Sequence, residues 1–555
     1  MPQIPFAYPL LRVLRFFSAK ICGRDLNFFH NINFPAMSTK HFGAICCAAF
    51  FLSSLSAQPG ALDATFGNGG KVFASIGTEN DLAHAAVLQP DGRIIAAGWA
   101  KMGATNDFAL ARFTADGAPD LSFGMAGKRT TDIGADDDQV LALALQHDGR
   151  IVAAGWTFNG ADLDFALVRY LPDGTVDSSF GVAGKRTTDI GGSDYIASVA
   201  IQPDGKIVVA GHTNTSGTLD FVLARYLPNG TPDGDFGTGG VVITDFFQHS
   251  DWGASVALQA DGKIVVAGLA VTGADYDFAL ARYHADGSLD DSFGAGGKVT
   301  TAFGSSDDKG IAVLIQPDGK ILAGGYLYNG ADYDFALARY DTDGSLDEYF
   351  GNEGKTITDF EGDGDLIAAM ALQPDGKIVA AGRSSNGQHY DFALARYQPN
   401  GVLDNTFGDE GRVITPMSAR ENSAFEVLIQ SGGSIVLAGY AHDGTAEDFA
   451  LARYVSGWSV GVQDVSSAIT EVLIFPNPVQ QNATTLKYTL QSPASVSVRL
   501  FDMQGRLIQI FANSIREAAG IRHQTLLLPA DLLPGMYQVV ITTENGRATA
   551  GMVKQ

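Results

Sequence analysis

Six aspartates recur at one place in a repeating pattern of this 555-residue sequence: Asp81, Asp138, Asp194, Asp251, Asp308 and Asp365. Asn422 takes the place in a seventh copy. Each stands eight residues ahead of a glutamine that opens a turn. Carboxylates contributed by successive copies can gather round a hard cation such as Ca2+, which takes several oxygen ligands. Asp136, Asp137, Asp307, Asp363 and Glu421 add acid nearby. The plainer role is a turn residue whose carboxylate accepts local backbone N–H groups. No copy contains an EF-hand loop, so no cofactor is certain and Ca2+ is the candidate.

A second set varies inside a constant frame. The residue after an Ala-Gly or Gly-Gly pair is Trp99, Trp156, His212, Leu269, Tyr326, Arg383 and Tyr440 in turn. Aromatic rings beside carboxylates suit a sugar or a peptide through stacking and hydrogen bonding. Packing between neighbouring units is the alternative. Catalytic residues are not discernible. The histidines fall at unrelated repeat positions or outside the repeats, and there is no Gly-x-Ser-x-Gly elbow or phosphate loop. Paired carboxylates can cleave glycosides, but a chain with 61 acidic residues supplies such pairs by chance. The residues favour binding over catalysis.

The frame is a period of 56 or 57 residues. An Asp-Phe-Ala-Leu-Ala-Arg-Tyr motif has its Asp at Asp107, Asp164, Asp220, Asp277, Asp334, Asp391 and Asp448. Phe-Gly pairs and Gln-Pro-Asp-Gly-Lys turns keep the same beat. The Arg of the motif and the Asp ahead of Phe-Gly recur together, which predicts one charge-assisted bond per unit holding loop to strand. Asp-Gly between apolar runs predicts a hairpin with a type I′ turn. Four short strands fit each period, and no helix-length amphipathic stretch does.

Such units bury their apolar faces only against their neighbours. The fold class is therefore all-β: a seven-bladed β-propeller of four-stranded antiparallel blades, followed by a small Ig-like β-sandwich. The phase resembles that of NHL-type propellers, with inner strands ending at Gln89, Gln146 and their equivalents. The last copy then stops at Tyr454 without its fourth strand. Lys71–Ser75 is a spare strand at the other end of the repeats and is expected to pair near Asp448–Tyr454, closing the ring.

Over about 62–454, the Leu-Asp-x-x-Phe-Gly, Gln-Pro-Asp-Gly-Lys and Asp-Phe-Ala-Leu-Ala-Arg-Tyr elements resemble the delta-60 repeat family. That resemblance implies an extracellular propeller and no particular activity. After a linker at 461–470, the tail has Phe475-Pro-Asn-Pro478, a Leu500–Arg506 turn and Pro534-Gly-Met-Tyr537. Residues 471–555 resemble the type A sorting domain of the Bacteroidota type IX secretion system. This implies that the secretion machinery is a partner, and that the protein is released or held at the outer-membrane cell surface.

At the other end, Met37-Ser-Thr-Lys-His precedes an apolar stretch at 42–55, which reads as a signal peptide within a 1–57 leader whose start is expected at Met37. All three cysteines lie in that leader, so the expected mature domain at 58–460 has no disulfide. The net charge of −24 argues against nucleic acid as a partner. No segment after the leader is long and apolar enough to span a bilayer. The expectation is a secreted or cell-surface propeller that binds a glycan, a peptide or another extracellular partner. A polysaccharide hydrolase or lyase on the same scaffold and a purely structural adhesin are the alternatives.

Overall fold

The computed structural model describes residues 58–457 and most of 469–554. Positions 135, 216, 361, 363, 431, 476–478, 480–481, 503–506, 530–531, 533–534 and 544–545 are excepted. The 1–57 leader, Asp363, the 461–468 part of the linker and much of the tail motifs (Pro476–Pro478, Met503–Arg506, Leu533–Pro534) lie outside the described residues. The described residues are β-strands and turns, with no helix among them.

The order begins β1 (Lys71–Ala74), β2 (Asp81–Leu88), β3 (Ile94–Met102), β4 (Thr105–Phe113) and β5 (Lys128–Thr131). Strands β2 to β5 form one antiparallel sheet in chain order, and each of the next five periods repeats it. In the seventh sheet, β1 supplies the outer strand. It pairs with Glu447–Tyr454 in the register Lys71↔Ala452 to Ala74↔Phe449, as the interrupted last copy required. Phe66, Val72 and Ala83 from the start of the repeats share one buried core with Val436, Phe449 and Leu451 from the end. The repeats form a closed propeller of four-stranded blades.

The hairpin between the first two strands departs from the sequence reading. Asp91 does not have a positive φ, whereas Gly92 does, at 86°. The Gly92 N–H donates to the Gln89 carbonyl, and the Gln89 N–H donates to the Arg93 carbonyl. This is a type I turn with glycine in the left-handed place, not type I′. The extra residue keeps Leu88 opposite Ile94.

Each inner strand bulges after its third residue, as between Ala83 and Ala85. The bulge presses the inner backbone against the glycine ahead of the variable position. A Cβ on Gly268 would meet the Trp252 carbonyl oxygen at 1.8 Å, and the six equivalent glycines have the same contact at 1.7–1.9 Å. Neither strand can yield without breaking the ladder. Gly268→Ala is therefore expected to cost about 3 kcal/mol or more, at the upper end for forced overpacking. Urea unfolding checks it, and wild-type stability in the variant would contradict the close approach.

The third strand is the core of each blade, as in Tyr276–Tyr283, where every residue after the first is buried. Its terminal tyrosine reaches the outer strand of the preceding blade: Tyr283 Oη donates to Thr244 Oγ1 at 2.8 Å, and five other blades repeat the bond. At the closing seam Phe113 and Ala74 occupy the two positions, so neither polar group is left unpaired.

The motif arginines do what their recurrence predicted. Arg112, Arg169, Arg225, Arg282, Arg339, Arg396 and Arg453 each place Nε 2.7–2.9 Å from the Asp ahead of Phe-Gly. Each guanidinium lies 4.2–4.8 Å over the following Phe ring. Arg396 Nη1 also donates to the Ser456 carbonyl of the next blade's loop, so one side chain ties strand, loop and neighbour.

The tail forms a three-stranded and a four-stranded sheet. Val498, Leu500, Val539 and Ile541 of one share a core with Leu486, Tyr488 and Leu526 of the other. Ala483–Leu490 alternates buried and part-buried residues throughout, the period of a half-buried strand.

Candidate functional site

The inner strand begins, the second strand ends and the third strand begins on the same face of the propeller. The recurring aspartates and the variable aromatic positions therefore belong to one face, as their spacing implied. The structure separates their depths.

Asp81, Asp138, Asp194, Asp251, Asp308 and Asp365 are the first residues of the inner strands and are 0–1% exposed. They lie beneath the surface and do not line the mouth of the channel. In each, Oδ2 accepts a backbone N–H of the incoming loop, as from Phe246 to Asp251 at 2.7 Å and from Ile133 to Asp138 at 2.7 Å. The turn role is therefore real. Burial, partly offset by these hydrogen bonds, pushes Asp194, Asp308 and Asp365 up to about 6 and Asp251 up to about 7.

What the sequence did not disclose is their company. The third-strand Asp and the residue after the outer strand of one blade meet the inner-strand Asp of the next. Among the described residues, four junctions gather three carboxylates whose oxygens lie within 4.8 Å of one another. They are Asp107, Asp132 and Asp138; Asp164, Asp189 and Asp194; Asp220, Asp245 and Asp251; and Asp334, Asp359 and Asp365. The outer-strand member is exposed in each, and the other two are buried.

The variable positions stand each opposite the second residue of its inner strand, and all but the buried Leu269 are half-buried, nearer the surface. Trp99 faces Leu82, Trp156 faces Gln139, His212 faces Tyr195, and Leu269 faces Trp252. Tyr326, Arg383 and Tyr440 face Lys309, Leu366 and Ser423. From Trp156 the rings run on across three blades. Tyr195 is 6.3 Å from Trp156, His212 stacks on Tyr195 at 4.7 Å, and Trp252 stacks on His212 at 5.2 Å. Most of their faces are turned to one another, and Trp252, 41% exposed, ends the ladder. Further round, Arg383 lies 4.5 Å over the Tyr390 ring. Sequence reasoning missed Tyr195 and Trp252. The cross-strand register, once known, is the signal that finds them.

A central cavity of about 540 Å3 takes in Tyr326, Arg383, His84, Phe425 and Glu426. The His84 and Phe425 rings are 4.8 Å apart. Burial pushes Glu426 up to about 7 and His84 down to about 4. The remainder of the lining is mostly apolar.

Residues 89–123, 146–180, 202–236, 259–293, 316–350 and 373–407 match the domain of unknown function DUF5122 beta-propeller family. Residues 473–555 match the secretion system C-terminal sorting domain. The chain thus carries delta-60-like propeller repeats and a type IX sorting tail. That tail marks it as secreted or cell-surface, and no helix among the described residues is long and apolar enough to cross a membrane.

No curated protein matches the chain. Among solved structures, it is similar to PorZ, a surface component of the type IX secretion system of Porphyromonas gingivalis. That likeness has 12% identity and a TM-score of 0.38, over 87% of this chain and 60% of PorZ. The chain thus spans about 60% of PorZ's length. Sqt1 from Chaetomium thermophilum has 12% identity and a TM-score of 0.38, over 69% of this chain and 99% of that one. The polysaccharide lyase Uly1 has 11% identity and a TM-score of 0.40, over 74% and 95%.

Proposed function

We propose that the protein is an exported binding module: a seven-bladed propeller over about 58–460 that presents one face to an extracellular glycan or peptide, with an Ig-like sorting sandwich over about 471–555 that brings it to the type IX machinery. The observation that carries the binding reading is the aromatic ladder from Trp156 to Trp252, rooted in three consecutive blades. Rings held by cross-strand and inter-blade stacking are rigid, so little side-chain freedom is lost when a ligand lands on them. Trp252 is the member with an open surface, and the exposed aspartates of the same face supply hydrogen-bond acceptors for hydroxyls or amides.

A glycan and peptide array probed with the secreted chain tests this. The expected result is a restricted set of hits whose affinity falls about tenfold in Trp252→Ala, the equivalent of about 1.4 kcal/mol of lost contact. Hits that bind the variant as tightly as the wild type would place the binding surface elsewhere.

A further inference from the structure

We propose that the tri-aspartate junctions between neighbouring blades are divalent-cation sites, Ca2+ by their chemistry. Each is completed by two blades at once, as by Asp220 and Asp245 from one and Asp251 from the next. This inference stands apart from the aromatic row and does not depend on what that row binds.

Size is the first argument. Ca2+ sits about 2.3–2.6 Å from its oxygens, so two ligands on opposite sides of it are about 4.6–5.2 Å apart. Three carboxylate oxygens within 4.8 Å of one another can therefore share one ion. All the donors are oxygens, the ligand type of a hard cation. The exposed position of Asp245 leaves room for water.

Charge is the second. Lys298 reaches over from the next blade, but its Nζ donates to the Asp245 backbone carbonyl at 2.8 Å, and one ammonium does not balance three carboxylates. At the Asp164–Asp189–Asp194 junction, Val241 occupies the position of Lys298, so no lysine comes from that place.

Hydrogen bonding points the same way. Oδ1 of Asp251 closes no hydrogen bond, although the residue has no exposed surface. The same atom of Asp138 and of Asp365 is also unpaired, with the Thr157 and Ser384 hydroxyls close by but closing no bond of normal geometry. A buried carboxylate oxygen without a donor is costly. At the fourth junction Thr213 Oγ1 donates to Asp194 Oδ1 and the unpaired oxygen is Asp164 Oδ1; Asp81 and Asp308 Oδ1 are unpaired as well, so the third carboxylate is what sets the four sites apart.

The chain also contains its own control. Where the outer-strand Asp is replaced by Pro416, the inner-strand Asp is replaced by Asn422. The Asn422 amide donates to Asp391 Oδ1 at 2.9 Å. An amide N–H thus stands where the tri-aspartate junctions need a positive partner. At another junction Ala302 replaces the outer-strand Asp between Asp277 and Asp308, leaving two carboxylates.

The test is Ca2+ binding to the full secreted chain, stripped with chelator and measured by equilibrium dialysis and calorimetry near neutral pH. The expected stoichiometry is four, one per tri-aspartate junction. Asp245→Asn changes an exposed side chain and should lower it by one. Ala302→Asp, also exposed, should raise it by one by completing a further site. Circular dichroism of both variants shows that the fold is kept. Diffuse weak binding that neither variant alters would mean ordinary attraction to an acidic surface and would overturn the proposal, as would no binding at millimolar Ca2+.

Discussion

Arg396→Ala is expected to destabilise the propeller by about 3–5 kcal/mol, the cost of stranding one partner of a buried ion pair. Arg396 and Asp404 side chains are 2% and 1% exposed, with Nε 2.9 Å from Oδ2. The guanidinium also lies 4.2 Å over the Phe407 ring and donates to the Ser456 carbonyl. Truncation leaves that carbonyl without this donor, and Asp404 with Lys377 at 3.0 Å as its remaining cation. Burial pushes Asp404 up, but hydrogen bonds from Thr406 and Lys377 and the charge of Arg396 outweigh it and hold the carboxyl at about 2. A carboxyl whose folded value is depressed stabilises the protein above its unfolded value, and that contribution fades as pH falls from about 4 towards about 2. The acid-unfolding midpoint of Arg396→Ala should therefore move upward in pH. Arg396→Lys keeps the charge but loses the planar fork, so it should fall between the two. Urea unfolding near neutral pH reads the main effect. A loss under about 1 kcal/mol would mean that Asp404 is satisfied without the arginine.

The parts of the fold that rest on periodicity were legible in the sequence. The repeat gave four strands per unit. The missing fourth strand at Tyr454 and the spare one at Lys71 had a single closed solution, which β1 adopts. Turn chemistry was less legible. Asp-Gly suggested type I′, but the two residues after the glutamine make a type I turn whether the first is Pro90, His147 or Ala260, so only the glycine turns left-handed. The site was half legible. Equal spacing identified Asp138 and its equivalents, but spacing says nothing of depth, and they proved to be buried. Their partners come from two other strands of the preceding blade. One of these, the residue after the outer strand, is Asp132, Asp189, Asp245 and Asp359 in four blades but Ala302, Pro416 and Ser75 in the others. Along the chain that looks like variation in a loop. Only the juxtaposition shows that Pro416 and Asn422 changed together. Trp252 was hidden in the same way, because the aromatic of that blade sits across the strand pair, opposite Leu269.

The chain stripped of divalent cations is expected to lose thermal stability as pH rises from about 6.5 to about 8, and millimolar Ca2+ is expected to reverse the loss. Asp251 is held at about 7 and Asp194, Asp308 and Asp365 at about 6, chiefly by burial. Unfolded aspartates titrate near 3.9. A folded value above the unfolded one means that the native state holds the proton more tightly, so the stabilisation is complete at low pH and lost as pH rises through the folded value. Two histidines act in the opposite sense. Burial takes His84 and His212 down to about 4, so their penalty grows as pH falls below about 6.5. The window above that belongs chiefly to Asp251 and to Glu426 in the channel, because the carboxyls held at about 6 have mostly lost their protons by then. Lys298 and Lys355 soften the charge around Asp251 and Asp308. On the proposed assignment, Ca2+ takes over from the proton at the tri-aspartate junctions. Each occupied site adds RT ln(1 + [L]/Kd), about 2.7 kcal/mol at a hundredfold excess, so four independent sites have a ceiling of about 11 kcal/mol. Asp251→Asn separates the two contributions. It copies the arrangement at Asn422, so in chelator at about pH 8 it should melt above the wild type, while its gain from Ca2+ should shrink by one site's share. Melting curves in chelator that stay flat or rise across this window would show that the buried carboxyls need neither proton nor cation.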